Sequence, residues 1–163
     1  MNLATVTRSS YLDRLHVRLQ AARFRSSELL EIVRPEALYD RPIPERHRII
    51  FYIGHLEAFD WNLLLGPLRL ASFEPDFDKL FAFGIDPVDG GLPNDQPKDW
   101  PSVEQVRRYG TRLREKLDRA LLTIAAEDPT LARLEHGRLL EVAIEHRLMH
   151  VETLSYMLHQ LPC

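Results

Sequence analysis

The chain has 163 residues, 45% of them hydrophobic and 28% charged, the balance of a globular domain and not of a fibrous or disordered chain. At this length one hydrophobic core is expected and two independent domains are not. Twenty-one Lys+Arg against 24 Asp+Glu give a net charge of -3, which leaves no basic footprint for nucleic acid. No run of about 18 apolar residues could span a membrane, and the first residues lack a signal-peptide pattern. The single cysteine, Cys163, permits neither an internal disulfide nor a CxxC site, so a reducing cytoplasm is the expected compartment.

Ser9 or Ser10 can cap a first helix, in which Tyr11, Leu15, Leu19, Ala22, Ser26, Leu29 and Val33 recur every three or four residues before Pro35. Arg48-Ile-Ile-Phe-Tyr-Ile53 has the residue types of a strand. Its apolar pattern continues through His55, Leu56, Phe59, Leu63 and Leu64 to Gly66-Pro67, too long for a typical strand, so a second helix is expected. Residues 72–100 hold four prolines, three glycines and six aspartates with no regular period. They predict a long ordered loop pinned by Phe73, Phe77, Leu80, Phe81, Phe83 and Trp100, with Gly90-Gly91 as a turn. Ser102 and Gln105 form a capping box for a third helix with Val106, Leu113, Leu117, Ala120, Leu121 and Ile124 on its apolar row. Its arginines (107, 108, 112, 114 and 119) interleave with acids, the mark of a solvated, ion-paired face. Asp128-Pro129 suits the start of a fourth helix that Pro162 closes. Four amphipathic helices without a convincing strand or repeat predict an all-α four-helix bundle with a long ordered loop between the second and third helices.

The segment Glu145-His-Arg-Leu-Met-His-Val-Glu-Thr153 is the most informative. Four residues of helix turn about 400°, so His146 and His150 lie one above the other and can converge on one ion. With Leu139, Ala143, Thr153 and Met157 they follow a seven-residue seam, which predicts that they face inward. The competing reading is that each histidine merely finds a hydrogen bond inside the bundle. His55, on a row with Tyr52, Phe59 and Asn62, is the leading third ligand, because bundle metal sites use inward side chains on facing helices. His159 falls on the opposite face, His16 and His47 read as surface, and His136 reads as a pocket residue. Glu145 and Glu152 read as solvated charges, and Tyr52, Tyr156 and Asn62 as core amphiphiles.

Three stretches together resemble a known family: Gly54-His-Leu-Glu-Ala-Phe-Asp-Trp61, the loop from Leu80-Phe-Ala-Phe-Gly-Ile85 through Asp99-Trp-Pro-Ser102, and Glu145 to Leu154 followed by Tyr156 to Pro162. They are similar to the DinB-like helical domain of ergothioneine-biosynthesis sulfoxide synthases. The resemblance covers most of the chain and implies that His55, His146 and His150 bind a non-haem iron, Fe(II), for oxygen-dependent chemistry on a small-molecule thiol. Family enzymes continue into a formylglycine-generating-enzyme-like domain that supplies substrate-binding residues and a tyrosine, with no counterpart here. The expected organisation is therefore one DinB-like domain over residues 1–163, either truncated, free-standing, or half of a two-protein enzyme whose partner carries the second domain.

Three neutral imidazoles leave coordination sites open and suit zinc or nickel as well as iron. One alternative is thus a free-standing metal-dependent thiol S-transferase using Zn or Ni without redox change. Another is a non-catalytic helical interaction module. Wide apolar helix faces also make a homodimer a candidate assembly.

Overall fold

The structure, a computed structural model, describes residues 11–85, 93–127 and 137–161. The Ser9/Ser10 cap, the Gly90-Gly91 turn, the Asp128-Pro129 helix start, His136, Pro162 and Cys163 lie outside the described residues. Among the described residues five α-helices follow in order: α1 (Tyr11–Glu31), α2 (Ile49–Leu64), α3 (Pro75–Phe83), α4 (Val103–Glu127) and α5 (Gly137–Leu158). Short 3-10 turns occupy Pro35–Tyr39 and Pro97–Asp99, and the described residues contain no strand. The fold is all-α, with α1, α2, α4 and α5 as the four long helices of the bundle.

The strand-like run from Arg48 to Ile53 enters α2 at Ile49. This helix is covered on nearly every side, including Ile49, Ile50, Phe51, Tyr52, Leu56, Trp61 and Leu64. A helix buried all round has little amphipathic contrast, which is why its sequence looks like a buried strand. On α1 the buried row is Leu15, Leu19, Ala22 and Ser26, joined by Arg23. The capping box of α4 forms as expected: the Ser102 amide donates to Gln105 Oε1 at 2.9 Å, and the Gln105 amide donates to Ser102 Oγ at 3.3 Å.

Residues 72–100 differ from expectation, because they contain α3. Pro75 lies in its first turn, where a missing amide costs nothing, Asp76 and Asp78 sit near its positive end, and Gly84 follows its last residue at φ 75. The prolines and aspartates that suggest a loop are here helix-start signals. Phe81 and Trp100 are buried anchors and Phe73, Phe77 and Leu80 are half-buried, whereas Phe83 is 67% exposed and anchors nothing. Gly54 makes the close approach of α3 possible, since a Cβ there would lie 2.3 Å from Phe81 Cδ1.

Two buried aspartates tie the segment down. Asp78 accepts from Tyr109 Oη at 2.6 Å, Ser72 Oγ at 2.5 Å and Trp61 Nε1 at 3.1 Å. Asp95 accepts from Trp100 Nε1 at 2.7 Å, from Arg48 Nε at 2.8 Å and from Arg41. The bundle itself divides into two pairings: α5 packs chiefly on α1, and α2 chiefly on α4 and α3. Direct contact between α2 and α5 is more limited.

Candidate metal centre

Where α2 meets α5, His55, His146 and His150 come together with one nitrogen from each ring within 4.8 Å of the others. Ring centroids are 5.1 Å apart for His55 and His146, 4.9 Å for His55 and His150, and 4.6 Å for His146 and His150. The last pair follows from helical spacing alone, whereas His55 is carried in by the packing of α2. All three side chains are half-buried. The buried residues of α5 include Leu140, Ala143, Ile144, Arg147, Leu154 and Met157, and the half-buried histidines lie at the edge of this stripe with Leu139 and Thr153 half-buried beside them.

Aromatic rings hold the imidazoles in place. Phe59 stacks on His146 at 3.4 Å and 7°, and Phe51 stacks on His55 at 4.7 Å. The Nδ1–H of His55 donates to the Phe81 carbonyl at 2.7 Å, which selects the tautomer that leaves Nε2 as a lone-pair donor. Phe81 is thus a ring that packs against Gly54 and a carbonyl that orients His55. The Nδ1 atoms of His146 and His150 are buried and have no hydrogen-bond partner. A buried neutral imidazole is normally satisfied at both nitrogens, so these orphaned atoms fit a centre completed by an electron-pair acceptor such as a metal ion.

Electrostatics keep the rings in the form that ligates. Burial, then the charged forms of His150 and His55 and the guanidinium of Arg147, push His146 down to about 3. Burial, followed by His55, Arg147 and Arg46, lowers His150 to about 4. Burial also lowers His55, although the Phe81 carbonyl opposes it. At neutral pH all three are therefore uncharged, as metal coordination requires.

Tyr52 is buried with its ring 5.7 Å from that of His150, so it borders the cluster. Tyr156 is exposed and accepts from Arg46 at 3.2 Å, and Asn62 donates to the Asp78 carbonyl at 3.2 Å. Glu145 pairs with Arg18 across an exposed 3.4 Å gap, and Glu152 is exposed. His16 lies 3.4 Å from Gln20 Nε2, and His159 is exposed, so neither joins the cluster. His47 and His16 are corrections: expected at the surface, both are half-buried, and the His47 ring centroid lies 4.1 Å from that of Phe51. Beside His146 opens a mainly apolar cleft of about 1020 Å³, lined by Phe59, Leu139, Val142 and Met149 among others.

Sequence reasoning missed a buried charge cluster behind the histidines. Arg147, between His146 and His150 and fully buried, donates to Glu57 Oε1 at 3.0 Å, to Asp60 Oδ2 at 2.7 Å and to the Leu56 carbonyl at 2.6 Å. Arg114 grips both oxygens of Glu57 at 2.6 and 2.8 Å, so the arginine row of α4 is not wholly a solvated face. Arg23 donates to Asp118 at 2.7 Å. Burial alone would raise the Glu57 carboxyl, but Arg147, Arg114 and Arg23 together hold it down to about 2. The available signal was the pair of acids in the otherwise apolar α2, since charge inside an apolar helix implies a buried partner.

Fold and site together define an all-α bundle protein with a three-histidine cluster between two of its long helices. The chain belongs to the DinB superfamily, whose model matches residues 18–154. Over 131 residues it is 37% identical to Ergothioneine biosynthesis protein 1 of Neurospora crassa, covering 77% of this chain and 14% of that protein. Over 136 residues it is 30% identical to Ergothioneine biosynthesis protein 1 of Schizosaccharomyces pombe, covering 78% of this chain and 17% of that protein. The match thus takes in less than a fifth of either relative's length. No helix among the described residues is long and apolar enough to cross a membrane.

Proposed function

We propose that His55, His146 and His150 hold a divalent metal, with iron(II) as the first candidate. The chain then serves as the metal-bearing helical domain of an ergothioneine-biosynthesis enzyme acting on a small-molecule thiol. A formylglycine-generating-enzyme-like domain, in the same or a second polypeptide, completes the site. The observation that carries this reading is the meeting of three neutral imidazoles from two helices, with the Nδ1 atoms of His146 and His150 buried and unpartnered. The similarity to two fungal ergothioneine biosynthesis proteins supports the pathway, and iron is put first because of the resemblance of the histidine motifs to the sulfoxide synthase family.

The residues have separable tasks. His55 is oriented by the Phe81 carbonyl, so its Nε2 lone pair is available without rotation of the ring. His146 is clamped against Phe59, and the apolar cleft beside it can receive the hydrocarbon part of a thiol or an apolar element of the completing domain. Arg147 disfavours protonation of both neighbouring imidazoles, which keeps their lone pairs available. When bound, iron(II) supplies the redox capacity for oxygen-dependent thiol chemistry, which three imidazoles alone lack.

The test is metal analysis of protein purified and reconstituted without oxygen, beside the His55→Ala/His146→Ala/His150→Ala variant. One metal per chain, lost in the variant, is the expected result. If iron(II), zinc and nickel all fail to bind in stoichiometric amount, the metal reading is wrong and a helical interaction module remains. Thiol-dependent oxygen uptake by the iron-loaded protein then distinguishes the oxidative reading from a thiol transferase, which needs no oxygen.

A further inference from the structure

The two helices that carry the histidines are not each other's main packing partners, since α5 rests chiefly on α1, and α2 on α4 and α3. With direct contact between them limited, a polar link from one helix to the other carries weight in setting how far apart His55 and the His146/His150 pair stand. Arg147 lies between the two α5 histidines, and its guanidinium crosses to α2, donating to Asp60 Oδ2 at 2.7 Å, Glu57 Oε1 at 3.0 Å and the Leu56 carbonyl at 2.6 Å. Leu56 adjoins His55 in the chain, so the same hydrogen bonds join the backbone beside one ligand to the residue between the other two.

Helices α4 and α1 brace this crossing. From α4, Arg114 grips Glu57 through both oxygens, and Gly110 leaves room for it, as a Cβ there would stand 3.0 Å from Glu57 Cγ. From α1, Ser26 Oγ accepts from Arg147 at 3.2 Å, and Arg23 lies 3.7 Å from Asp60 while bonding Asp118 of α4. Arg147, Asp60 and Arg23 are all nearly or fully buried. Buried ion clusters give little net stability over apolar packing, but their directional bonds permit few alternative registers. That is the property a metal centre shared between two loosely joined helices requires.

We infer that Arg147, fixed by Glu57 and Asp60, is the positioning residue of the three-histidine centre. It sets the separation and rotation of α5 relative to α2, and Glu57 acts through it. This rests on the metal reading above, and the experiment separates the two. Cobalt(II) serves as the probe, since its visible bands report ligand geometry as well as occupancy.

The 163-residue wild-type chain, Arg147→Lys and Glu57→Gln are titrated with cobalt(II) without oxygen, and circular dichroism verifies that each variant is folded. Lysine keeps the charge but loses the forked grip, and glutamine keeps size but not charge. Wild type is expected to bind one cobalt, and the folded variants to bind about 10–100-fold more weakly with shifted visible bands, as when the supports of ligands are removed. Wild-type affinity and an unshifted spectrum in both folded variants would overturn the inference while leaving the metal site intact. Should either variant not fold, Asp60→Asn, which removes only one partner of Arg147, takes its place under the same criterion. Absence of cobalt binding by the wild type would instead remove the metal reading, and this inference with it.

Discussion

Gly54→Ala should destabilise the protein, although the same change in an open helix would stabilise it. In a helix interior alanine is better than glycine by about 1 kcal/mol. At position 54 the added Cβ would sit 2.3 Å from Phe81 Cδ1 and 2.5 Å from Cε1 and Cγ. Phe81 cannot easily retreat: it is fully buried, with Phe77, Tyr109 and Trp100 centred 5.6, 5.8 and 6.3 Å from its own ring. Overpacking of this kind costs about 1–3 kcal/mol, and a contact this short with a caged ring belongs at the upper end. After the propensity gain, a net loss of about 2 kcal/mol remains, a fall of roughly 4–8 °C in Tm for a chain of this size. Because the Phe81 carbonyl holds His55 Nδ1, metal affinity should fall in the same variant. Urea unfolding followed by circular dichroism measures the loss, and a double-mutant cycle with Phe81→Leu tests its cause. Relief of the clash should make the double variant more stable than the sum of the singles by about 1 kcal/mol or more. Stabilisation by Gly54→Ala, or a strictly additive cycle, would refute the packing argument.

Other outcomes follow from the same geometry. Metal-free protein should lose stability steadily on acidification: His146 and His150 sit at about 3 and about 4 in the fold, below their usual 6.5, so the unfolded chain takes up protons first. Their contribution is complete above pH 6.5 and declines toward those lower values. Urea midpoints at about pH 7.5 and about pH 5 should therefore differ more for the wild type than for the triple His→Ala variant, and equal differences would count against the neutral-imidazole account. Asp78→Asn should cost about 1–3 kcal/mol, because an amide cannot accept all three bonds now made by Tyr109, Ser72 and Trp61; a thermal melt indistinguishable from wild type would contradict this. His55→Gln should leave the helical content intact while lowering cobalt(II) affinity by tenfold or more, since the ring is half-buried at the edge of the core. Unaltered affinity would show that His55 is not a ligand.

Local chemistry in the sequence determined the long helices, the Ser102–Gln105 capping box and the stacking of His146 over His150, because each depends on neighbours within one or two turns. The tertiary structure decided what depends on distant partners. Position 55 could be named as a candidate from its row on α2, but only the packing of α2 against α5 brings its ring within 5.1 Å of His146. The helical state of residues 75–83 was hidden because proline and aspartate mark helix starts as well as loops, and burial of Phe81 against Gly54 favours the helix. The partners of Arg147 were equally hidden, since they come from two other helices and no periodicity encodes which buried charge meets which. One chain segment can specify its own turn and exposed face, but a centre assembled between segments exists only when the whole core is packed.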